Sequence, residues 1–217
     1  MKSFRLPRIY PLTDVQVSGL SHAEQIRRLC AGGASLVQFR EKGLPASDFY
    51  DEAQTALRVT RELGIRLIIN DRVDVALALG ADGVHLGQDD LAPTAARELL
   101  GENAIIGLST HNMSQALEAQ KAPIDYLAIG PIFSTTTKQD TSPVVGLAGL
   151  AEVRLITKGL PLVAIGGITE ANAAEVIQAG ADSVAVVSSL LSSPKDISQR
   201  TTHLIELLGR SNIFYLR

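Results

Sequence analysis

Short apolar runs rich in branched side chains recur eight times along the chain, and longer segments with helical spacing separate them. The runs predict strands over 8–13, 34–40, 66–70, 82–86, 103–109, 125–130, 161–166 and 182–188. The other segments predict helices over 21–33, 47–64, 72–80, 94–101, 113–120, 150–159, 170–180 and 195–209. Strands that are apolar on both faces and joined by helices indicate a parallel sheet. We therefore expect an α/β fold, a closed (β/α)8 TIM barrel, with an open doubly wound sheet as the alternative.

The length and the even composition predict a single domain. The chain has 217 residues, enough for one buried core, and no linker or low-complexity segment interrupts it. We expect one barrel domain over 1–217.

The charge and the cysteine content restrict the partners and the compartment. The formal charge is -3 and no basic block is present, so nucleic acid is not an expected partner. No run reaches membrane-spanning length, and Pro7 and Pro11 interrupt the basic start before any signal-peptide core. Cys30 is the only cysteine, which excludes an internal disulfide and favours a cytoplasmic location. Small-molecule substrates are the expected partners, and a homo-oligomer is left open.

Polar residues follow most of the predicted strands, at the end of the barrel where ligands bind. They are Gln38, Arg40, Lys42, Asn70, Asp71, His85, Asp89, Asp90, Ser109 and His111. Of these, Asp71 and Asp90 follow neighbouring strands and have the oxygen ligands that Mg²⁺ prefers. The alternative is that each aspartate caps the helix after it. The two histidines are expected to be structural rather than proton carriers.

Two further strand ends suggest phosphate binding. Gly166 and Gly167 precede a predicted helix, where exposed backbone N–H groups accept phosphate, and Val187 and Ser188 would complete the site. The alternatives are a tight turn at the glycines and a helix cap at Ser188.

The stretch GPIFSTTTKQDTSPVVG, residues 130–146, is long for a connection in a compact domain. Thr135, Thr137 and Lys138 supply hydroxyls and a cation, and Arg40 and Lys42 add two cations from another strand end. Together these side chains could neutralise a diphosphate. The alternative is a solvated surface loop.

The motifs QFREK (38–42), NDRVDVALALGADGVHLGQDD (70–90), GLSTH (107–111), GPIFSTTTK (130–138), AIGGI (164–168) and GADSVAVVSSL (180–190) resemble those of the thiamine phosphate synthase family. The likeness extends in order from the first strand to the last. Thr136 stands where an acidic residue is common, and the tail SNIFYLR has no counterpart that we can name.

The resemblance implies a (β/α)8 transferase that joins hydroxymethylpyrimidine diphosphate to a thiazole phosphate and releases pyrophosphate, with Mg²⁺ as cofactor. It implies a pyrimidine diphosphate site made of Gln38, Arg40, Lys42, Asn70 and Lys138, with Ser109 facing the pyrimidine. It implies a thiazole phosphate site made of Thr135, Thr137, Gly167, Val187 and Ser188. Asp71 and Asp90 would bind the metal, and Lys138, Arg40 and Ser109 would act in catalysis.

Three other functions fit parts of the pattern. A thiazole tautomerase of the same fold would use the phosphate site without a diphosphate or a metal. Another phosphate-binding barrel isomerase would need a positioned acid and base. A non-catalytic protein that binds a phosphorylated metabolite would show no turnover.

Overall fold

The computed structural model describes residues 5–135, 137, 142–157 and 159–210, and it confirms the predicted TIM barrel. Eight parallel strands lie in the order β1-β8-β7-β6-β5-β4-β3-β2. They are β1 (Ile9–Pro11), β2 (Leu36–Phe39), β3 (Arg66–Asn70), β4 (Gly83–Leu86), β5 (Ile105–Thr110), β6 (Tyr126–Ile129), β7 (Leu162–Ile165) and β8 (Ser183–Val186). An isolated parallel bridge between Leu12 and Gln38 joins the two outer strands, so the sheet is nearly closed.

Helices lie between successive strands, as predicted. They are α1 (Val15–Ser18), α2 (His22–Ala31), α3 (Ala46–Leu63), α4 (Val73–Leu79), α5 (Pro93–Leu100), α6 (Met113–Ala119), α7 (Gly146–Thr157), α8 (Ala173–Gln178), α9 (Ser188–Leu191) and α10 (Ile197–Arg210), with a 3₁₀ turn at Pro194–Asp196. None of the helices in the described ranges is long and apolar enough to cross a membrane.

The structure adds two short helices to the prediction and moves several predicted boundaries. The short helices α1 and α9 were not predicted, because four residues are too few to show a helical period. β8 ends at Val186 rather than at residue 188, because the chain turns directly into α9. α7 begins at Gly146, four residues before the predicted start at 150.

The strands divide their side chains between two apolar clusters. One cluster fills the barrel interior and contains Tyr10, Leu12, Leu36, Ile68, Ile105, Tyr126, Ala128, Val163 and Ala185. The other cluster lies between the strands and the helices. It includes the chain neighbours of the interior residues, such as Val37, Leu67 and Leu127. Because successive side chains of a strand point to opposite faces, Gln38, Asn70 and Ser109 share the interior face with the first cluster.

One glycine makes room for a tyrosine ring in the barrel interior. Gly107 on β5 is in register with Tyr126 on β6, and a Cβ atom at Gly107 would overlap the Tyr126 ring. The Tyr126 ring can therefore lie inside the barrel only because residue 107 has no side chain.

Aspartates at the starts of three strands tie the opposite end of the barrel together. Asp82, Asp125 and Asp182 accept hydrogen bonds from the backbone N–H groups of Leu67, Ile106 and Leu162, at 2.9, 2.7 and 2.8 Å. Each carboxylate thus satisfies an N–H group on the neighbouring strand. This contact gives the recurring Gly-Ala-Asp of 80–82 and 180–182 a structural role.

We expect Asp125→Ala to lower the free energy of unfolding by about 1–3 kcal/mol, because a partly buried N–H group loses its acceptor. The substitution also removes the ion pair with Arg97, at 2.8 Å. Denaturant unfolding measures the change, and Asp51→Ala on the exposed face of α3 is the matched control, expected to stay within about 0.5 kcal/mol of the wild type. Equal stability of the two variants would contradict the structural role.

Candidate functional site

The predicted site residues gather at the carboxyl ends of the strands. Gln38 and Asn70 are buried there, Arg40 and Ser109 are partly buried, and Lys42 is exposed. The buried amide Nδ2 of Asn70 has no hydrogen-bond partner among the described residues. A buried donor without an acceptor is costly, so this amide is available for a ligand atom.

A cluster of charges lies at the ends of β3 and β4. The Lys42 ammonium donates to an oxygen of Asp71. Burial raises the pKa of Asp90 above its ordinary value, and the neighbouring Asp71 raises it further, while the N–H of Gly87 and the charge of Lys42 lower it. Two adjacent carboxylates and a lysine therefore share this edge.

Neither aspartate caps a helix, so the capping alternative is wrong. The N-cap of α4 is Arg72, and that of α5 is Ala92, and neither helix has a side-chain cap. Asp90 instead accepts from the N–H of Gly87 at 2.6 Å. Asp71 has a left-handed backbone, with φ at 62°, which aspartate tolerates better than most residues.

The two carboxylates fit a magnesium ion better than a zinc ion. The described residues include no group of three or more His, Cys, Asp or Glu side chains that could hold a metal by themselves. Mg²⁺ commonly takes one or two carboxylates and completes its shell with water and substrate phosphates. Asp71 and Asp90 match that pattern.

Arg40 is held by an acidic partner that the sequence did not reveal. Its Nη1 donates to Oδ2 of Asp14 at 2.7 Å, and both side chains are largely buried. Asp14 also caps α1, accepting from the N–H of Val17. Asp14 directly follows the first strand run, so its place at a strand end was the available signal.

Glu41 fixes the backbone that carries Lys42. Its Oε1 accepts from the N–H groups of Lys42 and Gly43, both at 2.7 Å, and its Oε2 lies 3.3 Å from Nε2 of the buried His22. The segment after β2 is therefore held in place by its own acidic residue.

A continuous chain of hydrogen bonds crosses the barrel interior. Nε2 of Gln38 donates to the Tyr10 hydroxyl at 3.1 Å, and the hydroxyls of Tyr10 and Tyr126 are 2.9 Å apart. His85 lies between the hydroxyls of Tyr126 (Nδ1, 2.9 Å) and Ser109 (Nε2, 2.8 Å). Both nitrogens of His85 have partners, as predicted for a structural histidine.

The other histidine of the strand ends is also satisfied. Nδ1 of His111 lies 2.7 Å from the carbonyl oxygen of Gly130. His111 thus ties the end of β5 to the start of the long connection after β6.

The phosphate candidates lie at the ends of β7 and β8. Gly166 and Gly167 both have positive φ, and a side chain at Gly167 would overlap Phe133 and the Ser134 carbonyl. α8 begins at Ala173, three residues after the predicted start at 170, and the glycines form a turn before it. The backbone N–H groups of this turn are the ones predicted to bind phosphate.

Ser188 is the first residue of α9, and Val187 is its N-cap without a side-chain hydrogen bond. The alternative that Ser188 caps this helix is therefore wrong. The first N–H groups of a helix have no acceptor within the helix, so those at this end can bind a ligand.

The long connection after β6 is described only in part. Thr135 and Thr137 are partly buried, and the N–H of Thr137 donates to Oγ1 of Thr135 at 3.3 Å. Phe133 and Ser134 pack against Gly167, which brings the connection to the phosphate candidates. Lys138 lies outside the described residues.

Comparison with known proteins shows close relatives over nearly the whole chain. The sequence profile of the thiamine monophosphate synthase family matches residues 9–190. A thiamine-phosphate synthase of Chloroflexus aurantiacus is 49% identical over 86% of each chain. One of Syntrophomonas wolfei is 46% identical over 94% of this chain and 97% of its own. The solved thiamine phosphate pyrophosphorylase of Pyrococcus furiosus is 36% identical, with a TM-score of 0.84, and covers 94% of this chain and 96% of its own.

We expect the His85 imidazole to stay neutral down to acidic pH, because burial lowers its pKa from 6.5 to about 4. In the unfolded chain the His85 ring binds a proton below pH 6.5, whereas the folded protein keeps the ring neutral down to about pH 4. The free energy of unfolding is therefore unaffected by this ring above pH 6.5 and falls as the pH drops from 6.5 toward 4. An NMR titration of the histidine rings, assigned with a His85→Gln variant, measures the midpoint. A His85 midpoint at or above 6.5 would contradict the expectation.

Proposed function

Because the chain belongs to the thiamine monophosphate synthase family, it is a transferase of thiamine biosynthesis, and we propose that it joins hydroxymethylpyrimidine diphosphate to a thiazole phosphate. The products are thiamine phosphate and pyrophosphate. The bond from the pyrimidine methylene carbon to the diphosphate oxygen breaks, and its electron pair leaves with pyrophosphate. The thiazole nitrogen then forms the new bond to the methylene carbon.

The observation that carries this proposal is the grouping of Lys42, Asp71 and Asp90 beside the Asn70 amide, whose Nδ2 has no partner in the part of the chain that the structure describes. A departing diphosphate accumulates negative charge, and fixed cations that face it lower the barrier. Arg40 and Lys42 supply such cations at the end of β2, and each is already oriented by a carboxylate. A thiazole tautomerase would need neither the carboxylate pair nor these cations.

Asp71 and Asp90 are the residues proposed to hold Mg²⁺. The ion would offset the charge of the diphosphate in the substrate and in the leaving group. Lys138, Arg40 and Ser109 are the proposed catalytic residues. No strong base is required, since the pyrimidine amino group supplies electrons to the methylene cation.

The thiazole phosphate is proposed to bind at the ends of β7 and β8. The backbone of Gly167, Val187 and Ser188 would donate N–H groups, and the hydroxyls of Thr135 and Thr137 would donate from the connection above. This choice of phosphate ligands is supported by their proximity, because the connection after β6 packs on Gly167. With both substrates held, the chain acts mainly by positioning and by charge stabilisation.

Turnover of the two substrates tests the proposed function directly. We expect thiamine phosphate and pyrophosphate to form in equal amounts with Mg²⁺, and the reaction to stop with EDTA. Binding of either substrate without turnover would support the non-catalytic alternative. Turnover of a thiazole phosphate alone would support the tautomerase.

We expect Asp71→Asn and Asp90→Asn each to raise the Mg²⁺ concentration needed for half-maximal turnover by at least about tenfold, because each removes ligand charge without removing volume. The melting temperature of Asp71→Asn should hardly change, since asparagine also tolerates a left-handed backbone. A Mg²⁺ titration beside a thermal melt measures both effects. Asp89→Asn, exposed on the same segment, is the control. Unchanged metal dependence would exclude the proposed ligands.

We expect Lys138→Ala to lower kcat by about 100-fold or more, because a cation facing the leaving diphosphate contributes most in the transition state. Lys121→Ala, on the surface after α6, is the control and should leave kcat unchanged. Steady-state kinetics with both substrates separate kcat from KM. An effect confined to KM would assign Lys138 to ground-state binding.

A further inference from the structure

We propose that Glu41 is a positioning residue that holds Arg40 and Lys42 in the arrangement that binds one diphosphate, with Thr13 and His22 as its supports. Glu41 acts through the backbone of residues 40–43 and does not contact substrate. The inference rests on the proposed function, because it takes Arg40 and Lys42 as the cations that bind the diphosphate.

A carboxylate between two cations that bind phosphate needs an explanation. Glu41 follows Arg40 and precedes Lys42 in the chain, so its negative charge repels any diphosphate held at the end of β2. Its side chain is only 13% exposed, and a carboxylate is costly to bury unless donors compensate it. The contribution of Glu41 therefore lies in the protein groups that it binds.

Glu41 binds the two peptide groups that flank the Cα atom of Lys42. Its Oε1 accepts from the N–H groups of Lys42 and Gly43, both at 2.7 Å. Because each peptide group is planar, fixing the two groups restricts both φ and ψ of Lys42. The direction in which the Lys42 side chain leaves the backbone is thereby set.

The other oxygen of Glu41 connects this turn to the backbone of Arg40. Oε2 lies 3.3 Å from Nε2 of His22, and Nδ1 of His22 lies 2.7 Å from Oγ1 of Thr13. The Thr13 hydroxyl oxygen accepts from the N–H of Arg40 at 3.2 Å. A network of side chains therefore links the Arg40 N–H group to the turn around Lys42.

The supports of Glu41 belong to the packed part of the barrel. Thr13 is 0% exposed and His22 is 1% exposed, and the His22 ring lies 4.3 Å from the Phe39 ring, centroid to centroid. The Lys42 side chain, in contrast, is 54% exposed, so its direction depends strongly on the backbone that carries it. The network thus transfers the rigidity of the core to an exposed cation, and small displacements of such a group reduce its effect on a bound ligand.

The charge of Glu41 and its contacts predict opposite effects on anion binding. If the charge alone mattered, Glu41→Ala would remove a repulsion and strengthen the binding of pyrophosphate. If the contacts position the cations, the same substitution releases both peptide groups and weakens binding. Glu41→Gln separates the two effects, because an amide oxygen can still accept from both N–H groups but carries no charge.

Calorimetric titration of the full chain with pyrophosphate in the presence of Mg²⁺ measures the effect. We expect Glu41→Ala to raise the Kd for pyrophosphate about tenfold, the equivalent of one lost hydrogen bond, and Glu41→Gln to bind at least as tightly as the wild type. Glu62→Ala removes the same charge from the surface of α3 and is the matched control, expected to bind as the wild type does.

Two results of this titration would overturn the proposal. One is a Kd of Glu41→Ala at or below the wild-type value. The other is equal weakening in Glu41→Ala and Glu41→Gln, because the bonds to the two N–H groups would then not account for the loss.

A purely structural role makes a different prediction. It would lower the melting temperature of Glu41→Ala and leave the Kd of the folded protein unchanged, which would also overturn the proposal. If Glu41→Ala does not fold, Thr13→Val decides the question, because it removes the acceptor of the Arg40 N–H with little change in volume. Thr13→Val should raise the Kd, and an unchanged value would overturn the proposal.

Pyrophosphate binding is measured without turnover, so the two proposals can fail separately. A wild type that binds pyrophosphate but forms no thiamine phosphate would refute the proposed function, and the comparison of the Glu41 variants would still decide the positioning role. A wild type that does not bind pyrophosphate with Mg²⁺ present would overturn the positioning role itself.

Discussion

The pleat of the parallel strands is the constraint on which the rest of this structure depends. Every second residue of a strand faces the barrel interior, and the intervening residues face the helices. The interior face carries apolar side chains in the middle and polar ones toward the carboxyl ends, where Gln38, Asn70 and Ser109 lie. A shift of one residue in β2, β3 or β5 would replace one of these polar side chains with a core residue, so the site and the core specify one register together.

Electrostatic compensation organises the mouth of the barrel. Arg40 is held by Asp14, and Lys42 is held by Asp71, while the carboxylate of Asp90 lies close to that of Asp71. Each cation is therefore oriented before a ligand arrives. A bound metal ion would relieve the repulsion between the carboxylates of Asp71 and Asp90. Preorganised charges of this kind stabilise a developing anion without first having to reorient.

The sequence was enough to predict the barrel because hydrophobic period and strand–helix alternation are local properties. Placing the site residues at strand ends followed from the same topology. Contacts between distant segments could not be predicted: Asp14 and Arg40 are brought together only by closure of β1 on β2. Similarly, Tyr10 and Tyr126 belong to separate apolar runs, and neither run shows that the two hydroxyls meet inside the barrel.

The helix caps show where local patterns mislead. An aspartate before a helix is usually a cap, yet Asp71 and Asp90 contact Lys42 and Gly87 instead. The glycine pair 166–167 is a turn, and the helix after it begins later than the pattern suggested. Asp71 reaches Lys42 at the end of another strand and Asp90 accepts a bond within its own loop, so both carboxylates forgo a cap worth about 1 kcal/mol.

Residues 107 and 126 share a single volume inside the barrel, so the residue at one position restricts the residue at the other. A methyl group at position 107 would displace the Tyr126 ring, so an alanine there is compatible only with a smaller residue on β6. Such an exchange would remove the Tyr126 hydroxyl and so break the hydrogen-bonded chain between Tyr10 and His85. Two adjacent strands therefore hold a pair of positions through which a barrel of the same shape could lose this interior chain.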